Sequence, residues 1–284
     1  MEPGRPSATA FRVAMRRAAH QLLDEPRVLD DPVALRIIGS ARAEALRKDR
    51  RSRGSKFDRY LRAFLAVRSR CAEDALAAAI ARGVTQYVVL GAGLDTFAYR
   101  NPFPPGSLSV FEVDHPATQA WKLDLLARTR ITIPEGVTFV AVDFAAQVLG
   151  DRLRDCGFRT DTPTFFSWLG VTMYLEREAV LSTLRWIGTA TPRGGGVVFD
   201  YACSPSTLGL LERLVFWVMA RRVAAVGEPW RATFDPRDLV QAMLAMGYAE
   251  VDDLSAHAIN ARYFAHRADQ LKVGTLAGLI SARV

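Results

Sequence analysis

Tyr87-Val88-Val89-Leu90-Gly91-Ala92-Gly93 is the stretch on which the reading of this chain turns. Four apolar or aromatic residues running straight into Gly-x-Gly read as a short buried strand that ends in a tight turn. Glycine lets the backbone turn sharply there and approach a ligand closely. Four more short apolar stretches follow, at 108–113, 137–142, Thr164–Trp168 and 197–201, spaced 20 to 35 residues apart. Between them lies helix-compatible sequence, such as Pro116–Arg128 and 176–189. Short apolar strands alternating with helices indicate an α/β fold with a parallel sheet covered on both faces. In such sheets ligands bind at the carboxyl ends of the strands.

Outward from this centre, 56–82 carries Leu61, Phe64, Leu65, Ala72, Ala75, Leu76 and Ile80 at three- and four-residue steps, a helix stopped by Gly83. Residues 7–48 read as helical pieces broken at Pro26 and Pro32. Toward the other end, 234–246 is helical, and 248–254 and 261–266 are expected to pair as an antiparallel edge. The expected organisation is a single domain over 1–284, with an N-terminal helical extension at 1–82 and a helical lid insertion at 203–232.

Composition excludes several classes. Half of the 284 residues are hydrophobic and 24% are charged, ordinary for a globular protein. Cys71, Cys156 and Cys203 form no CxxC pair and are odd in number, so a disulfide framework is not expected and the cytoplasm is the expected compartment. No two histidines have metal-ligand spacing, and no metal is expected. The net charge is +7, and the first 70 residues alone carry +9, with 17 Lys/Arg against 8 Asp/Glu. The cluster Arg47-Lys48-Asp49-Arg50-Arg51-Ser52-Arg53 lacks interleaved aromatics and any reading-head motif, so it reads as a solvated loop and not as a nucleic-acid site. The most apolar stretch, 208–226, is interrupted by Glu212, Arg213, Arg221 and Arg222, and it reads as an amphipathic or buried helix with no membrane partner. No N-terminal signal peptide is expected either, since no apolar run follows Arg12, Arg16 and Arg17.

Three strand ends carry the candidate chemistry. The first is Gly91-Ala92-Gly93. Thr96 stands where the dinucleotide fingerprint has its third glycine, which counts against a pyrophosphate-bearing cofactor. The second is Asp114, 21 residues beyond Gly93. Its two carboxylate oxygens can accept from both hydroxyls of a ribose, or it caps the helix that begins at Pro116. The third is Asp143-Phe144, where the acid can accept from an adenine amino group and Phe144 can cover the base; an N-cap is the alternative. Together the three describe a pocket for adenosine without a phosphate cradle.

With these motifs the chain resembles class I S-adenosylmethionine-dependent methyltransferases, specifically the leucine carboxyl methyltransferase-like family of actinobacteria. The resemblance runs through Asp31-Pro32, Arg68-Ser69-Arg70, Glu73-Asp74, Leu90-Gly91-Ala92-Gly93-Leu94-Asp95-Thr96 and Tyr99-Arg100. It continues through Glu112-Val113-Asp114-His115-Pro116, Asp143-Phe144, Met173-Tyr174-Leu175, Phe199-Asp200-Tyr201 and Gly227-Glu228-Pro229-Trp230. It implies a Rossmann-like, seven-stranded, mostly parallel sheet with a reversed C-terminal hairpin. It implies S-adenosyl-L-methionine as cofactor, with S-adenosyl-L-homocysteine as product, held by Gly91, Gly93, Asp114, Asp143 and Phe144. It also implies an arginine gripping the donor's carboxylate, Arg68, with Arg70 as the alternative. Leu169 stands where many relatives carry an acid that meets the donor's amino group.

The expected function is an O-methyltransferase acting on a carboxylate or hydroxyl of a small molecule, in secondary metabolism. The rivals are protein carboxyl methylation and a binding module that holds the nucleoside without turnover; an NAD dehydrogenase is disfavoured by Thr96 and Asp143. A carboxylate acceptor needs no base, whereas an alcohol does. His115, Tyr174, Tyr201 and His257 are candidates for that role, and none is assigned. Phe216, Trp217, Met219 and Trp230 either cover the acceptor or belong to the core.

Overall fold

The computed structural model describes residues 7–48, 55–143, 147–225 and 227–284. Four helices precede the first strand: α1 (Ala8–Leu23), α2 (Pro32–Ile37), α3 (Ser40–Lys48) and α4 (Lys56–Ile80). Each start has a local cause. The Ser7 hydroxyl accepts from the Ala10 N–H at 3.1 Å, and Asp31 accepts from the Ala34 N–H ahead of Pro32. Ser55 and Asp58 form a reciprocal capping box on α4. Of the basic cluster, Arg47 and Lys48 end α3 beside Glu44, and 49–54 lie outside the described residues.

The sheet has seven strands: β1 (Gln86–Leu90), β2 (Ser109–Asp114), β3 (Val137–Ala141), β4 (Thr164–Trp168), β5 (Gly196–Ala202), β6 (Glu250–Leu254) and β7 (Ala277–Arg283). Their spatial order is β3-β2-β1-β4-β5-β7-β6. The first five are parallel, and β7 runs antiparallel between β5 and β6. Helices α5 (Pro116–Arg128), α6 (Leu149–Asp155), α7 (Arg177–Ala190) and α9 (Pro236–Ala245) alternate with the strands, and α8 (Leu210–Ala224) follows β5. β1 and β4 are buried along their whole length, as strands with both faces covered must be. Among the described residues no helix is long and apolar enough to cross a membrane.

The C-terminal edge differs from the sequence expectation. Residues 261–266 are not a strand: they fall at the end of α10 (Ala256–Tyr263), which Ser255 caps and whose Ile259 is buried. The partner strand is β7, hidden in the sequence by Gly278 and by short side chains. The Tyr201 ring explains that glycine. A Cβ at 278 would lie 2.3 Å from the ring, so the strand can pair with β5 only if position 278 has no side chain.

The N-terminal helices are held to one another and to the loop after β1 by buried charges. Arg62 of α4 grips Asp24 with two bonds of 2.7 and 2.8 Å, and His20 Nδ1 lies 2.8 Å from the same carboxylate. His20 Nε2 accepts from the Val28 and Leu29 N–H groups, so Nδ1 carries the hydrogen toward Asp24. Burial pushes the Asp24 carboxyl up, but the bonds from Arg62 and His20 outweigh it and bring the group to about 2. Asp95 is likewise held at about 2, with burial opposed by Arg17 and Lys122. Both values lie below the ordinary 3.8, so the stability these groups supply is present above pH 3.8 and is lost as pH falls through about 2. An acid-unfolding curve followed by circular dichroism should therefore keep its folded baseline at pH 4 and fall between about pH 3.8 and 2. The Asp24→Asn protein should lose stability at neutral pH and show a smaller acid step. An unchanged curve in that variant would count against the assignment.

Candidate functional site

A cavity of about 580 Å3 lies at the carboxyl ends of β1 to β4, beneath α1 and beside α4. Gly91, Gly93, Asp114, Asp143 and Arg68 all line it. Gly91 and Gly93 have φ of +66° and +46°. A Cβ on Gly91 would sit 2.3 Å from Val171 Cγ2, and one on Gly93 would sit 3.3 Å from the Ala10 Cβ of α1. Glycine at 91 is required by both the turn and the approach of the 169–171 loop. After the glycines the chain makes a single 3-10 turn, Phe97–Tyr99, and no α-helix begins. The helix N-terminus that would hold a pyrophosphate is therefore lacking between β1 and β2.

The loop is pinned from outside. Ala10, Ala14 and Arg17 recur along one face of α1, and all three line the cavity. Arg17 donates to Asp95 at 2.6 Å and to Asp31 at 2.7 Å. The Thr96 hydroxyl donates to Asp31 at 2.7 Å. Arg100 donates to Asp31 at 3.1 Å and to Glu73 at 2.9 Å. This one buried cluster uses motif residues for which sequence reading offered no role, and it explains Thr96. The sequence signal was an acid before proline, Asp31-Pro32, which reads only as a helix start.

Asp114 accepts from the Gly93 N–H at 2.5 Å and from the His115 N–H at 2.7 Å. It does not cap α5: that role belongs to the His115 imidazole, whose Nδ1 accepts from the Ala117 N–H. Burial pushes the Asp114 carboxyl up, against the opposing pull of those two N–H groups. Asp143 follows β3, and its own N–H donates to the Gln147 side chain at 3.0 Å. Phe144 lies outside the described residues.

Arg68 and Arg70 are separated by the geometry of α4. Two residues correspond to more than half a turn, so the two side chains leave the helix on opposite sides. Arg68 is buried at the cavity and donates to Asp200 Oδ2 at 2.7 Å. Gly170 donates its N–H to the other Asp200 oxygen at 2.5 Å. Gly170 has φ +76°, and a Cβ there would lie 2.8 Å from Arg68 Nη2. Arg70 is exposed and pairs with Asp74. Leu169 lines the cavity.

The base candidates are scattered. Tyr201 is buried and donates to Asp253 at 2.8 Å, and His257 is exposed on α10. Tyr174 lines the cavity, and burial together with Glu228 pushes its phenol up. Glu228, which sequence reading left without a role, accepts from the Ser7 hydroxyl at 2.9 Å and so ties the start of α1 to the segment after α8. In the 203–232 segment, Phe216 is core and Trp217 is 57% exposed, while Met219 and Trp230 line a second cavity.

Comparison with known proteins identifies the family. The family model of leucine carboxyl methyltransferase matches residues 10–188. A protein of Bacillus subtilis (strain 168) named "Putative S-adenosyl-L-methionine-dependent methyltransferase YktD" is 33% identical over 95% of each chain. A similarly named protein of Saccharopolyspora erythraea is 31% identical over 68% of this chain and 66% of its own. The crystal structure of a DUF574-family protein from Streptomyces avermitilis shares the fold, with a TM-score of 0.55 and 14% identity over 95% of this chain and 96% of that one. The chain belongs to the leucine carboxyl methyltransferase family, and with it to the enzymes that use S-adenosyl-L-methionine as methyl donor.

Proposed function

We propose that this methyltransferase methylates an oxygen, a carboxylate or a hydroxyl, of a small molecule of secondary metabolism, and that the 580 Å3 cavity holds the donor. The observation that supports the donor site is the convergence of three β-strand ends and Arg68 on one cavity that lacks a phosphate cradle. The residues suit a nucleoside with an amino-acid tail. Asp114 retains acceptor capacity for ribose hydroxyls beyond its two backbone bonds, since a carboxylate offers about four lone-pair sites. Asp143 stands at the next strand end for the base, with Phe144 beside it in sequence. Arg68, its fork oriented by Asp200, offers its second nitrogen to the donor's carboxylate.

When bound, S-adenosyl-L-methionine supplies a sulfonium methyl: a C–O bond forms at the acceptor, the C–S bond breaks, and its electron pair passes to sulfur. The chain's contribution is orientation and exclusion of water, with α1 covering the glycine loop. A carboxylate acceptor leaves no proton to move. For a hydroxyl acceptor, the Tyr174 phenol, which stays protonated, is placed to hydrogen-bond the oxygen, because the residue lines both cavities.

Arg68 and Arg70 supply a paired test. Calorimetric titration of Arg68→Ala with S-adenosyl-L-homocysteine should show affinity reduced by roughly 10- to 100-fold, the value of one charge-assisted hydrogen bond. Arg70→Ala should bind within about twofold of wild type, as for an exposed ion pair. Equal effects would remove Arg68 from the donor site. Incubation with labelled donor then separates small-molecule from protein acceptors, since methyl ester recovered on a polypeptide would favour protein carboxyl methylation.

A further inference from the structure

A second cavity, of about 460 Å3, adjoins the first, and Thr9, Val13, Arg68, Gly170 and Tyr174 line both. Beyond that junction its wall is mostly apolar, formed by Phe64 and Leu65 of α4, Val215 and Met219 of α8, and Met173 and Trp230. The two ends differ. At the inner end Arg68 and Asp200 are buried and engaged with each other, and Thr9 and Tyr174 line both cavities. At the outer end Arg12 and Arg222 are exposed beside Leu211.

The charges at that mouth do not balance. Arg12, Arg16 and Arg222 stand there against Asp58 and Glu212, which leaves one net positive charge. Asp58 is paired with Arg16, while Glu212 is held by the Gly209 N–H and the Thr275 hydroxyl and by no arginine. Arg12 and Arg222 have no carboxylate partner among the described residues. An apolar chamber closed by two unpaired guanidiniums selects against a neutral polar ligand and in favour of an apolar one ending in an anion.

We propose that the second cavity is the acceptor site and that it takes a lipophilic anion. The oxygen to be methylated lies at the Tyr174 end, the apolar body between α4 and α8, and a carboxylate or similar anionic group at Arg12 and Arg222. This rests on the reading of the first cavity as the donor site. It also gives a role to apolar residues on one side of α8, since Val215 and Met219 line the chamber while Leu210, Leu214 and Trp217 stand outside it.

The test uses the full-length protein and two probes with the same apolar body, decanoate and 1-decanol, each displacing 8-anilinonaphthalene-1-sulfonate. S-adenosyl-L-homocysteine is titrated in parallel. Val215→Trp fills the chamber, Leu214→Ser alters only the outer face of α8, and the double variant Arg12→Glu/Arg222→Glu reverses the mouth. Decanoate should bind more tightly than decanol and lose at least tenfold in Val215→Trp while staying within twofold in Leu214→Ser. The mouth variant should cost decanoate about five- to tenfold and leave decanol within twofold, which removes the preference for the anion. S-adenosyl-L-homocysteine should bind all variants within twofold, and this also reports that Val215→Trp is folded. If that variant does not fold, the mouth variant, which changes only exposed side chains, decides alone.

Decanoate binding insensitive to the mouth variant, or lost equally in Leu214→Ser, overturns the proposal. Should wild type bind S-adenosyl-L-homocysteine but show no preference for decanoate, the acceptor class fails and the donor site stands. The reverse pattern fails the donor site and leaves the second cavity as a site for lipophilic anions.

Discussion

Asp114→Ala should bind S-adenosyl-L-homocysteine about 100- to 1,000-fold more weakly than wild type in calorimetry, the largest loss expected from any single side chain of the donor cavity. The carboxylate anchors the loop by accepting from Gly93 and is placed to accept from both ribose hydroxyls. Hydrogen bonds to a charged group contribute roughly 1.5–3 kcal/mol each, so losing two corresponds to about 3–5 kcal/mol, or two to three decades in affinity. Asp114→Asn keeps the shape but exchanges one acceptor oxygen for a donor, and it should fall between the two. The thermal midpoint of the ligand-free protein should move little, because the Gly93 N–H faces the cavity and can turn to water. An Asp114→Ala protein that binds within threefold of wild type would remove the residue from the donor site.

Asp31→Ala should have the opposite profile, with a large loss of stability and the ligand effect secondary to it. Asp31 is fully buried and receives Arg17, Arg100 and the Thr96 hydroxyl while capping α2. Its removal leaves two guanidiniums under-compensated in the interior, and breaking one partner from a buried ion pair costs about 3–5 kcal/mol. For a chain of this size that corresponds to a fall in the thermal midpoint of roughly 10 °C. Asp31→Asn should recover the helix cap but not the charge, and so regain only part of the loss. Differential scanning calorimetry of the three proteins checks this. A midpoint within 2 °C of wild type in Asp31→Ala would show that the network contributes little. Added S-adenosyl-L-homocysteine should still raise the midpoint of Asp31→Ala, since the residue touches the cavity only through its partners.

The first five strands were legible because each is a short apolar run, the first three ended by glycine or an acid, and burial on both faces leaves a strand few other residue choices. Residues 86–90, 109–114 and 164–168 lie within a residue of their expected positions. The C-terminal edge was not legible. Residues 261–266 carry aromatic and β-branched neighbours compatible with a strand, yet Ser255 starts a helix that runs to Tyr263. β7 carries the glycine that the Tyr201 ring demands, and that requirement comes from a strand more than seventy residues earlier.

By itself the sequence determined the alternation of strand and helix, the positions of the glycine turn and the acids at 114 and 143, and the family. These are local properties: apolar period, turn chemistry and the identity of a strand's last residue. Helix phase already placed Arg68 on the apolar face of α4, and the tertiary structure decided what it meets there, the cavity and Asp200. It also decided that Asp31, Glu73, Asp95 and Arg100 form one buried cluster, and that α8 encloses a chamber with an unbalanced positive mouth. Each of these depends on contacts between segments tens to hundreds of residues apart, where the energy of a charge is set by what is packed against it.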